Sequence, residues 1–172
     1  MPATVTPRSI PADSEIARRL AGAHFHDCHE RVVTGAGTAL EHYLAIVGRT
    51  PRWIDAAMAL RNRAVRLVGL KDIGALGGVD RGRRAADYRV GDRVGIFSLL
   101  YLSDDEIILG DADRHLDAQV AVFRRQHDGR DWLGIATVVH IHNLLGRAYM
   151  LVVTPMHRLI APAMLARAGI AS

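Results

Sequence analysis

Residues 132–169, WLGIATVVHIHNLLGRAYMLVVTPMHRLIAPAMLARAG, decide how the rest of this 172-residue chain is arranged. The first dozen alternate as a strand does, and the remainder carries a helical pattern with a wide apolar face. A long terminal helix of that kind must lie on something, and the strand-like runs before it are the available surface. The expected class is α+β: a curved antiparallel sheet gripping the helix Leu144 to Arg167, with room for a cavity between sheet and helix. Asn143 is placed to cap that helix, Thr154-Pro155 to restart it and Pro162 to bend it.

Working upstream, the pattern is β from Gly91: RVGIFSLLYL, a turn at Ser103-Asp104-Asp105, EIILGD, a turn near Asp113, HLDAQVAVFRR, and a turn at His127-Asp128-Gly129. Each link is short enough for a hairpin, so these four runs form a meander. Phe25 to Val33 reads as a first strand of poor alternation, added at one edge. Between it and the meander lie two helices. Thr38-Ala39-Leu40-Glu41 is a capping box that opens the first, which Gly48 stops. Thr50-Pro51 opens the second, with Trp53, Ile54, Ala57, Met58, Ala64, Val65 and Val68 on one side.

Gly69 to Asp92 is irregular and glycine-rich, with a DRGRR patch. It lacks the spacing of a phosphate-binding loop and reads as a lid over a pocket mouth. Residues 1–12, with three prolines by Pro11, read as a flexible lead-in to a single domain over 13–172, whose first helix is SEIARRLAG.

Alternation sorts the strands into faces. Leu133, Ile135, Thr137, Val139 and Ile141 share one face of the last strand, and Leu116, Ala118, Val120 and Val122 one face of the strand before it. The inner surface is therefore aliphatic, with Ser98 and Thr137 as its polar side chains, which suits an apolar ligand held by few hydrogen bonds. The opposite face, with His115, Asp117, His140 and His142, reads as polar and solvated. His140-Ile141-His142 has a spacing that some zinc sites use, and His115, His140 and His142 are the candidate metal ligands, but no third ligand is fixed by the spacing. His26 and Cys28 share a strand side, yet no orienting group or oxyanion site accompanies them, so a buried thiol is the simpler reading.

The chain is 49% hydrophobic and 23% charged, within the globular range. A net charge of +4 comes from arginines scattered among 18 acids, without the basic runs interleaved with aromatics that nucleic acid calls for. One cysteine precludes an intrachain disulfide, the N-terminus lacks a signal-peptide layout, and the longest uncharged apolar run near the end, Ala148 to Met156, is too short to span a bilayer. The expectation is a cytoplasmic protein without a membrane span.

The succession ADSE, HDCHE, TPRWIDAAMALRNRAVRLVGLKDIG, YRVGDRVGIF, DDEIILGDADRHLD and VVHIHNLLGRAYMLVVTPMHRLI resembles an uncharacterised bacterial family. That family is a domain of unknown function, found alone or appended to short-chain-dehydrogenase-like proteins, and is similar to the START-like, polyketide-cyclase-like (SRPBCC) superfamily. The resemblance covers about Ala12 to Ala168 and implies a helix-grip fold with a hydrophobic cavity. It transfers no catalytic residue, and the superfamily holds carriers, receptors and cyclases alike.

Three functions follow as expectations. The first is binding of a small hydrophobic molecule, without a cofactor, at Ser98, Thr137, Val139, Tyr149 and His157. The second is a cyclase- or hydratase-type enzyme in the same cavity, with Tyr149 or His157 as proton donor. The third is a homodimeric interaction module using the face around His115, Asp117 and His140.

Overall fold

The Asp128-Gly129 pair sits between two alternating runs and folds as that pattern dictates: both residues take positive φ, 51° and 67°, and His127 pairs directly with Arg130. This hairpin is the centre of the fold in a computed structural model that describes residues 4–67, 78–80 and 82–168, without the side chains of 64–67. The strands are β1 (Thr6–Pro7), β2 (Phe25–Val32), β3 (Arg93–Val94), β4 (Phe97–Leu102), β5 (Glu106–Ala112), β6 (Leu116–His127) and β7 (Arg130–Ile141). They form one antiparallel sheet in the order β1-β2-β7-β6-β5-β4-β3. Helices α1 (Ala39–Val47) and α2 (Arg52–Leu67) lie between β2 and β3 in the chain, and α3 (Leu144–Leu165) follows β7. The curved sheet with the C-terminal helix packed on it is a helix-grip fold.

The core lies on the face that alternation selects. Leu133 and Ile135 of β7, Val122 of β6 and Ile107 and Leu109 of β5 pack with Leu40, Tyr43 and Ile46 of α1 and Met164 and Leu165 of α3. The caps behave as their residues require. Thr38 and Glu41 make a reciprocal capping box, and the Asn143 side chain accepts the Gly146 amide at 3.0 Å.

Five expectations are corrected. The outer face of the sheet is not solvated throughout: Cys28, Ile108, Ala121, Phe123, Ala136 and Val138 form a second apolar cluster under Ile16, with Ile10 and Leu20 against it. The segment that covers them is a 3-10 turn, Ile16–Arg19, pinned by the Glu106 carboxylate, which accepts the amides of Glu15 (2.7 Å) and Ile16 (2.9 Å) from ninety residues away. The lead-in is also tied down, since Thr6 pairs with Glu30 and Pro7 with His29. Proline suits that position because an edge strand needs no amide on its outer side. The run 93–102 is two strands, broken at Gly95-Ile96, and a bulge between Leu99 and Tyr101 shifts its alternation. Finally, α3 runs unbroken through Pro155 and Pro162 instead of restarting.

On α2, Ile54 is buried as expected but Trp53 is 46% exposed. The placements expected for Ala64, Val65 and Val68, and the lid reading for 69–92 insofar as it rests on residues 69–77 and 81, lie outside the described residues. By length and composition α3 is apolar enough to cross a membrane. Here Gly146, Met150, Ala161, Met164 and Leu165 are buried against the rest of the protein.

Candidate functional site

Strand β2 reads FHDCHERV, polar on both faces, which is why its alternation looks poor. Its register with β7 explains the pattern: Asp27 lies opposite Thr137, His29 opposite Ile135 and Arg31 opposite Leu133, all on the face that α3 covers. Cys28 and Glu30, opposite Ala136 and Gly134, look the other way. Sequence position alone could not show that a helix would arrive over the first set from 130 residues away.

That helix brings His157. Its Nε2 lies 3.2 Å from Asp27 Oδ1 and 3.1 Å from Oδ2, and its ring stands edge-on to Phe25 with centroids 5.6 Å apart and planes at 89°. Further along, the buried Arg31 donates from Nη1 to Leu165 O at 3.3 Å and, at shorter range, to Ala166 O, so a cation closes the C-terminal end of α3 where the helix dipole favours one. Burial holds its guanidinium pKa below the usual value.

In this corner the buried His29 Nδ1 and Thr137 Oγ1 make no hydrogen bond, and Asp27 Oδ2 meets only His157 Nε2 among the described residues. Cross-strand partners have Cβ atoms about 5 Å apart and diagonal ones about 7–8 Å, so the three share one small patch of sheet. Each unsatisfied group costs on the order of 1–3 kcal/mol, so such a cluster is expensive unless it serves a ligand. A depression of about 630 Å³ at the β2 edge is lined by residues 26–29 of β2, by Arg8 and Ile10 of the N-terminal segment, by Leu20 and by Arg158 of α3; Thr137 is not among its lining residues. Its size is within the range of small-molecule sites.

The residues expected at the site are only partly brought together. Thr137, 4% exposed, and Val139 lie on the inner face, and His157 reaches it. Ser98 does not: it pairs with Gly110, on the face opposite Leu99 and Leu109, because the bulge that follows leaves Leu99 as the core residue. Tyr149 is drawn to α2, where Arg61 Nε donates to its hydroxyl at 3.0 Å and the guanidinium sits 5.2 Å from its ring centroid. It lies eight residues before His157, about 12 Å along the helix. Asp27, His29, Phe25 and Arg31 were missed as site residues, and the polar inner side of β2 was the signal that could have found them.

The outer-face histidines are engaged separately. His140 Nε2 lies 3.1 Å from Ala21 O, His142 Nε2 3.2 Å from Asp117 Oδ1, and the buried His115 has Nδ1 beside the Asn143 amide and accepts from Arg114 at Nε2. Among the described residues no group of three His, Cys, Asp or Glu side chains is arranged to hold a metal ion.

Cys28 belongs to the outer cluster. Burial pushes its thiol up to about 12 from 9.0, with Glu30 and Asp27 adding to the shift and Arg125 opposing it. It is therefore protonated at neutral pH and a poor nucleophile. Because the folded value is raised, the thiol contributes stability below pH 9 that is lost as pH rises from 9 toward 12. Tyr43, also raised by burial, starts from 10.0 and adds its loss later. Melting temperature should begin to fall above pH 9 in the wild type, and Cys28→Ala should delay that onset; an unchanged pH profile in the variant would rule out the thiol as its origin.

The sequence matches, over residues 19–164, the family described as Protein of unknown function (DUF2867). No curated protein matches the chain. Among solved structures, the crystal structure of CalU16 from Micromonospora echinospora is similar at a TM-score of 0.31 and 11% identity, over 96% of this chain and 88% of that one. That likeness is too distant to lend this chain a function.

Proposed function

The chain belongs to the DUF2867 family, and on that footing we propose that it binds a small, mainly apolar molecule carrying one hydrogen-bonding group. The molecule enters at the β2 edge and sets that group against Asp27, His29 and Thr137 beneath α3, with Val139 and Phe25 as apolar walls. The observation that carries the reading is the convergence of two buried, unpartnered polar atoms, His29 Nδ1 and Thr137 Oγ1, with the Asp27–His157 pair beside a depression of ligand size. The lone buried Cys28 suits a reducing compartment.

The test is native against denaturing mass spectrometry of protein purified gently from its own host, on the wild type, Thr137→Val and Asp27→Asn. A compound released on unfolding from the wild type and missing from both variants supports the assignment. Equal retention by all three would refute it. Thr137→Val carries a second expectation. Valine keeps the shape and removes a buried hydroxyl without a partner, so ligand-free protein should gain about 1 kcal/mol, or about 2–4 °C in melting temperature.

A second reading rests on the His157–Asp27 pair. A carboxylate that orients an imidazole beside a pocket is suited to general acid-base work, with His157 moving the proton. Tyr149, held by Arg61, is not placed to share that task. Catalysis requires turnover of the retained compound to fall about a hundredfold or more in His157→Gln while binding persists. Loss of binding alone would leave the carrier reading.

A further inference from the structure

Although α3 buries one side, its other side is unusually bare. Leu144, Leu151, Val152 and Leu159 are 78%, 79%, 72% and 62% exposed. With Ala148 and Pro155 they follow helical spacing along one continuous stripe, about 22 Å from Leu144 to Leu159. Arg147 and Arg158, both exposed, line one flank. No aspartate or glutamate occurs anywhere from Leu144 to Leu165.

We propose that this face of α3 docks on an anionic lipid bilayer, lying in the plane of the headgroups while its opposite side stays packed on the sheet. The charge pattern selects the occupant. An apolar stripe flanked by cations and free of acids complements a negatively charged membrane surface, where each arginine adds attraction and the leucines enter the headgroup boundary. A second copy of the chain would bring the same arginines and no acid on this helix to neutralise them. Spanning the bilayer is incompatible with the burial of Met150, Ala161, Met164 and Leu165. Docking brings the membrane next to Arg158, one of the residues lining the β2-edge depression.

Flotation of the full chain with vesicles tests this, comparing phosphatidylcholine alone with phosphatidylcholine in which about a third of the lipid is phosphatidylglycerol. The wild type should float with the anionic vesicles only, and less in high salt. Replacing Arg147 and Arg158 together by glutamine should weaken partition by about thirtyfold, and Leu151→Asp should abolish it. All three residues are exposed, so circular dichroism and melting temperature should stay at wild-type values and separate lost docking from misfolding. No flotation with either vesicle, or equal flotation with both, overturns the proposal. So does a dimer without lipid, by light scattering, that Leu151→Asp dissociates, since the stripe would then be a self-association surface.

Discussion

Gly146→Ala is expected to destabilise the protein by about 3 kcal/mol and to lower its melting temperature by about 6–12 °C. Gly146 lies in the first turn of α3, where the helix leaves the end of β7 and crosses the β5–β6 turn. A Cβ there would sit 2.3 Å from the His115 carbonyl oxygen and 3.0 Å from Ile141 Cγ2. That oxygen is held in place, because it accepts the His142 amide at 2.8 Å. Neither side can yield by rotating a side chain, so the start of α3 must lift and loosen Met150 below it. Such an overlap with backbone should cost about 4 kcal/mol, above the ordinary range for overpacking. Alanine's better helix propensity returns about 1 kcal/mol. A thermal melt by circular dichroism within about 2 °C of wild type would show that the helix is not seated as tightly as this.

Gly134→Ala is expected to cost about 2–3 kcal/mol through the opposite face of the sheet. Gly134 pairs with Phe123, whose ring lies flat over it: an added Cβ would meet three ring atoms at 2.2, 2.4 and 2.7 Å. The ring is buried in the outer cluster with Ile16, Cys28 and Val138, so it cannot swing into solvent without opening that cluster. Unlike Gly146, the obstacle here is a side chain, so the cost should be recoverable. Phe123→Leu alone should cost under about 1.5 kcal/mol, and the double variant should be more stable than Gly134→Ala alone. Additive losses in that cycle would show that ring and glycine do not compete for the same space.

These two glycines also mark what could be read in the chain and what could not. Local chemistry was legible: the Asp128-Gly129 hairpin, the Thr38–Glu41 capping box, the Asn143 cap and the aliphatic inner face of β6 and β7 all follow from residues within a few positions of one another. The corrections share a different physical origin. Glu106 capping Glu15 and Ile16, Thr6–Pro7 extending the sheet and His157 meeting Asp27 are contacts across 22 to 130 residues, which no local period encodes. Ser98 was misplaced because FSLLYL is apolar on both faces and a bulge interrupts its alternation. Of the site, Thr137, Val139 and His157 were within reach, while Asp27 and His29 looked like ordinary polar strand residues until the register put them beneath a helix.

The unequal reach of the strand pairings has a kinetic consequence. From β4 to β7 every pairing is a hairpin between neighbours, so loop closure is cheap and this part should organise early. The pairing of β2 with β7 closes a loop of roughly a hundred residues, and β1 can attach only after β2 is in place. Asp27 and His29 therefore sit on the last-joined edge of the sheet, where sub-global opening takes less free energy than melting the hairpins. A ligand could enter and leave by fraying of β1 and β2 alone, with amides of β5 and β6 still protected from hydrogen exchange while those of β2 are not.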